Sequence, residues 1–193
     1  GSSGLSLDID YPEEALQYYR PLFDANIDVD VIGMQEDLSR YQLVIAPELY
    51  MVKPGVKDSL EQFVRNGGTL VLSLYCGITN ENDQVVCGGY PGELRELAGI
   101  WTEEFDALKN RENSFVWNGT EYPARFAFAI SHCEKAETLA EYQKEFYAGT
   151  PVLTRNVYGK GTVYYVGTRS SAEFYENFMK TVCEEAGIES CAA

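Results

Sequence analysis

Cys76 is the residue of this 193-residue chain whose surroundings most invite a covalent reaction. It closes the apolar run Thr69–Tyr75 and is followed by Gly77, so it stands where a buried strand leaves a sheet. A thiol at such an elbow can attack a carbonyl carbon if a neighbouring base takes its proton. The one histidine, His132, lies in His132-Cys133-Glu134 and is the base on offer. Glu48, just past Pro47 at the end of a second apolar run, could face Cys76. Paired carboxylates, one as acid and one as base or nucleophile, are the working parts of a glycosidase, but spacing singles out no second partner for Glu48. Gly88-Gly89 lacks the lysine and following helix of a phosphate-binding loop, so no nucleotide or other cofactor is expected.

Two features weigh against Cys76. Class I glutamine amidotransferases set their cysteine between spaced glycines, whereas Leu74 occupies the first of those places here and Gly77 comes one place early. Their histidine precedes the final helix, a place held here by Gly167-Thr168-Arg169, while His132 follows the run Ala124–Ile130. Cys76 therefore stays as the alternative nucleophile of an amidotransferase-like hydrolase, against the plainer reading of a small half-buried thiol.

The remaining composition narrows the classes. Lys and Arg number 15 against 30 Asp and Glu, a net charge of −15. With no basic cluster to displace phosphate counterions, neither nucleic acid nor an anionic membrane is an expected partner. Cys76, Cys87, Cys133, Cys183 and Cys191 form an odd, scattered set without C-x-x-C, which disfavours zinc and fits reduced thiols in a cytoplasm. Fourteen Tyr and two Trp suit an interface or a sugar-facing surface, which leaves a sugar-binding module as a further class.

The elements that must position these residues follow from periodicity. Gly1-Ser2-Ser3-Gly4 reads as a tag remnant, and residues 5–193 as one domain. Leu5–Ile9 alternates like a half-buried strand, and Tyr11-Pro12 opens a helix with Pro21 inside it. Ile27–Ile32 and Leu43–Ala46 are expected strands, with a short helical turn over Leu38–Tyr41. A helix from Pro54 reaches the Gly67-Gly68 joint, where glycine permits the sharp exit into Thr69–Tyr75. This alternation predicts parallel strands with right-handed crossovers. Gly77–Gly92 is long for a connector and is the expected functional or interface loop, with Asn82, Asp83, Gly88, Gly89, Tyr90 and Pro91 as candidates. Pro91–Leu97 reads as a short helix, and Ile100–Leu108 stays ambiguous. Ser114–Trp117, Ala124–Ile130, Thr138–Tyr142, Pro151–Val157 and Thr162–Val166 predict an antiparallel region, the last two joined by a hairpin at Gly159-Lys160. Thr168 or Ser170 is expected to cap a final helix ending at Gly187.

Several stretches in this order carry a resemblance. They are Tyr18-Tyr19-Arg20-Pro21-Leu22-Phe23-Asp24-Ala25-Asn26-Ile27, Ile45-Ala46-Pro47, Gly67-Gly68-Thr69-Leu70-Val71-Leu72 and Gly88-Gly89-Tyr90-Pro91-Gly92-Glu93-Leu94-Arg95. Phe146-Tyr147-Ala148-Gly149-Thr150-Pro151 and Tyr164-Tyr165-Val166-Gly167-Thr168-Arg169 add to them. Together they closely resemble the middle domain of glycoside hydrolase family 42 β-galactosidases. The resemblance implies a flavodoxin-like, amidotransferase-like three-layer sandwich, mostly parallel, with an antiparallel insertion in the C-terminal half. It also implies a non-catalytic trimerisation role beside a separate catalytic TIM barrel, so no catalytic residue, cofactor or metal ligand is expected in this chain. Members of that family place an apolar strand ahead of the segment matching Leu5–Ile9. The first strand is therefore expected to be truncated here, leaving either a gap in the sheet or Leu5–Ile9 in its place.

Overall fold

The computed structural model describes residues 11–107 and 112–190. The expectations placed on Gly1–Gly4, Leu5–Ile9, Leu108 and Cys191 lie outside the described residues.

Helix α1 spans Tyr11–Asp24, with Glu13 and Glu14 in its first turn, where carboxylates oppose the positive end of the helix dipole. Its buried residues Glu14, Tyr18 and Leu22 recur every four positions, so one stripe faces inward. Ile27–Ile32 is not a strand, contrary to its alternating pattern. It has no ladder partner among the described residues, and Val31 is 93% exposed. Alternation without a neighbouring edge to accept its amides leaves an extended, solvated segment, tethered where Arg40 and the Tyr41 hydroxyl reach the Asp30 carboxylate at 2.9 Å each.

The main sheet contains β1 (Leu43–Ala46), β2 (Thr69–Ser73), β8 (Gly161–Val166), β7 (Pro151–Tyr158) and β6 (Glu137–Glu141), in that spatial order. The β1–β2 and β2–β8 pairs are parallel; β8–β7 and β7–β6 are antiparallel. The sheet is therefore mixed rather than mostly parallel. The β7–β8 hairpin causes the change: two residues cannot carry a crossover, so β7 must run against β8. A second sheet holds β3 (Ile100–Asp106), β5 (Thr120–Cys133) and β4 (Asn113–Trp117), and the two-residue β9 (Thr168–Arg169) pairs with β5. The ambiguous run from Ile100 is thus a strand, aligned against β5 from Ile100↔Cys133 onward.

The strands β1, β2 and β8 divide their side chains between two apolar layers. Leu43, Ile45 and Val71 face a cluster containing α1 and α4 (Ala172–Glu185). Val44, Leu70 and Leu72 face a cluster containing α2 (Val56–Arg65) and α3 (Arg95–Ala98). Helix α4 is capped by Ser171, one residue past the expected Ser170, whose Oγ accepts from the Phe174 amide at 3.4 Å. Phe174 and Phe178 stack at 5.4 Å and pack edge-on against Trp117, which ties α4 to the second sheet.

On its other edge β1 has no strand partner among the described residues. A groove of about 820 Å³ runs there, between α1 and residues 27–32. All four β1 residues are only half-buried, whereas every residue of β2 is buried.

Candidate functional site

The carboxyl ends of β1, β2 and β8 converge at the place where open α/β sheets gather ligands and chemistry. The residue after Pro47 is Glu48, whose amide donates to Ser73 Oγ at 2.8 Å and whose φ is 45°. After β2, Tyr75 takes φ 61°, so the strained elbow belongs to Tyr75 rather than to Cys76. Left-handed backbone at a non-glycine residue costs on the order of 1 kcal/mol and persists only where surrounding contacts enforce it. Phe126 in β5 (φ 75°) is a third such residue; the β5–β9 register shifts between Arg125 and Phe128.

Arg169, on β9, organises these residues. Its Nη2 donates to Glu48 Oε1 at 2.7 Å, and its Nε lies 2.9 Å from Glu14 Oε2. Its guanidinium carbon stands 4.4 Å over the Phe126 ring. The side chains of Glu14 and Glu48 are 0% and 5% exposed, and that of Arg169 is 13% exposed. The Tyr175 hydroxyl reaches Glu14 Oε1 at 3.5 Å. Burial pushes the Glu14 carboxyl up to about 7 against the pull of Arg169, with Glu48 adding to the rise. Burial also raises Glu48, opposed by its hydrogen bond from Arg169. Two carboxylates thus share one guanidinium that is largely shielded from solvent. The arrangement can hold a proton and fasten α1 to the sheet, and it presents no reactive atom to a substrate.

Cys76 lies below this cluster, 1% exposed, with Sγ 3.6 Å from the Ala46 carbonyl oxygen to which it donates. Burial pushes its thiol up to about 12, so the thiolate needed for attack is scarce at neutral pH. His132 is not near it. The imidazole sits on the second sheet, stacked on Trp101 at 5.2 Å, with Nε2 3.2 Å from Glu103 Oε2. No cysteine–histidine pair forms between the two. Tyr75, at the elbow itself, is also pushed up to about 12 by burial and is a neutral phenol.

The loop candidates divide into two groups. Asn82 and Asp83 lie on an exposed tip shaped by Asn80, whose Oδ1 accepts from the amides of Asn82 and Gln84 at 3.0 and 3.1 Å. Tyr90 and Pro91 fold inward. The Tyr90 amide and carbonyl both bond Thr102, and its ring lies 5.2 Å from that of Phe105. Gly88 is exposed, and its carbonyl accepts from Arg95 Nη1 at 3.3 Å. Gly89 lies against the Trp101 indole so closely that a Cβ would overlap it. Apart from Glu48, the buried charge cluster escaped sequence reasoning. Its one legible signal was Glu14, which shares the inward stripe with Tyr18 and Leu22.

A family model described as the beta-galactosidase trimerisation domain matches residues 2–189, beginning inside the segment read as a tag remnant. Beta-galactosidase BgaP of Planococcus sp. (strain L4) is 49% identical over 195 residues, covering 97% of this chain and 29% of that protein. Beta-galactosidase LacA of Lactobacillus acidophilus is 41% identical, covering 97% of this chain and 28% of that protein. The crystal structure of beta-galactosidase from Bacillus circulans sp. alkalophilus superposes with a TM-score of 0.93 at 46% identity, over 98% of this chain and 29% of that one. The chain spans less than a third of the length of these relatives.

Proposed function

Because the chain belongs to the β-galactosidase trimerisation domain family, we propose that it is the non-catalytic assembly domain of a larger cytoplasmic glycoside hydrolase of family 42. In this reading its partners are copies of the parent chain, arranged as a trimer, and the parent's own TIM barrel, which cleaves the galactoside. Residues 5–193 then form one flavodoxin-like domain. Support for that architecture comes from the parallel β1–β2–β8 core with helices on both faces. The exposed tip at Asn82 and Asp83, with Gly88 and Gly89 behind it, is the part of the long loop suited to face a neighbouring subunit, while Tyr90 and Pro91 anchor it.

The observation that carries the reading is the family match across nearly the whole chain. The buried, hydrogen-bonded state of Cys76, remote from His132, removes the motive for the alternative amidotransferase-like reading. The test is deletion of this domain from the parent enzyme, with the mass of the remaining protein measured by light scattering. Loss of the trimer is the expected result, and a barrel that stays trimeric overturns the proposal. This chain alone should hydrolyse no nitrophenyl galactoside. Turnover abolished by Cys76→Ser would restore the alternative.

A further inference from the structure

Asn-Gly occurs twice in the chain, at Asn66-Gly67 and Asn118-Gly119, and the fold treats the two pairs differently. Asparagine followed by glycine is open to attack by its own backbone, because glycine has no side chain to shield its amide nitrogen. That nitrogen must be released from any hydrogen bond and swing onto the asparagine Cγ before a ring can close. At the end of α2 the Asn66 amide donates to Gln62 O at 3.1 Å and the Gly67 amide to Val64 O at 2.9 Å. The Gly68 amide donates to Phe63 O at 3.0 Å, and a Cβ on Gly68 would overlap the Phe63 ring. The first pair is therefore pinned against the last turn of its helix.

Asn118 and Gly119 instead form the tip of the β4–β5 hairpin, closed by the Trp117↔Thr120 pair. Their φ angles of 49° and 79° are those of the two left-handed residues in a type I′ turn. Both residues are exposed, and a Cβ placed on Gly119 would meet no atom within 4 Å. The Asn118 carboxamide has no hydrogen-bond partner among the described residues. The tip is held by its turn alone, at the end of a ladder, where local opening is easiest.

We propose that Asn118-Gly119 is a self-modification site, at which the Gly119 amide nitrogen closes on Asn118 Cγ and expels the carboxamide nitrogen as ammonia. The Gly119 nitrogen gives its proton to solvent, the N–Cγ bond forms, and the Cγ–Nδ2 bond breaks as Nδ2 takes a proton from water. Water then opens the succinimide at either carbonyl carbon. Opening at Cγ leaves aspartate; opening at the main-chain carbonyl leaves isoaspartate, whose backbone runs through Cβ. The net change is uptake of one water and loss of one ammonia, with no oxidation. Aspartate keeps an Asp-Gly pair, which suits a type I′ turn, and adds one negative charge to a chain already at −15. Isoaspartate lengthens a two-residue turn by one main-chain atom, which the Trp117↔Thr120 register does not absorb. Trp117 packs edge-on against Phe174 and Phe178, so a slipped tip also loosens α4. The reaction needs water alone and is independent of how the domain assembles.

The test incubates the full chain in warm, mildly alkaline buffer and follows both sites by peptide mapping. Conversion at Asn118 should outpace that at Asn66 about tenfold, the factor expected when one hydrogen bond must first be released. In urea, where neither turn is formed, the two rates should converge. Conversion at Asn118 that is absent, or no faster than at Asn66, overturns the proposal, and so does a ratio that persists in urea. Anion exchange then isolates the converted chain, and mapping gives its isoaspartate share. Its urea midpoint should fall below that of the Asn118→Asp variant, which carries the same charge on an unaltered main chain. Coincident midpoints overturn the effect drawn for α4.

Discussion

Replacing Glu14 by Gln tests the account of the buried charge cluster most directly. Glu14 is fully buried, and its carboxyl stands at about 7 rather than the ordinary 4.5 because burial outweighs the attraction of Arg169. A group whose folded pKa lies above its unfolded value binds its proton more tightly when folded. Its contribution is therefore fully present below about pH 4.5 and is lost as pH rises through about 7. The size of that loss is the shift multiplied by 1.36 kcal/mol per unit, or about 3 kcal/mol. Urea unfolding followed by fluorescence of Trp101 and Trp117 at intervals from pH 4.5 to pH 8.5 measures it. The wild-type protein should lose up to about 3 kcal/mol more than Glu14→Gln across that range, and the variant should be the more stable of the two at pH 8. The opposite slope would refute the reasoning. If Glu14→Gln is weaker than wild type by a constant amount at every pH, Glu14 is ionised throughout and its bond to Arg169 outweighs its burial.

Three further outcomes follow from the packing. With iodoacetamide at neutral pH, mass mapping should find the exposed Cys87 and Cys133 modified well before buried Cys76; faster reaction at Cys76 would reopen its role as a nucleophile. Phe174→Ala removes the ring on which Phe115, Trp117, Tyr122, Tyr175 and Phe178 converge, and should cost about 3–5 kcal/mol by urea titration. Gly161→Ala would set a Cβ 2.2 Å from the carbonyl oxygens of Gly68 and Val64. Since backbone at the α2–β2 joint must then move, about 1–3 kcal/mol should be lost in the same assay.

The elements were legible where one local pattern sufficed. The amphipathic stripe of α2, the all-buried β2 and the Gly159-Lys160 hairpin all formed as their sequences predicted. Ile27–Ile32 failed because alternation records which faces a segment would present and carries no information on whether an edge waits beside it. The parallel character of the sheet was overstated for a related reason. Pro151–Tyr158 reads as a strand in isolation, and only its short turn into β8 sets its direction. At the site, Cys76 was placed one residue too close to the elbow, since strand periodicity does not reveal which residue adopts φ 61°. Arg169 joins Glu14 and Glu48 across long stretches of chain, so their association could not be read from spacing. The family resemblance, by contrast, rested on ordered blocks spread through the chain, and the family model confirms it.

The pairing of β2 with β8 bears on how the domain is made. Thr69 meets Thr162, roughly ninety residues further along the chain, and on its other side β2 touches only the four-residue β1. Closing so wide a loop carries an entropic cost before any contact repays it, which slows folding. On the ribosome, therefore, the first half of the chain emerges with an apolar strand bare on one flank until the last quarter is synthesised. Over that interval a chaperone, or a sister nascent chain, competes with the native neighbour for the same backbone.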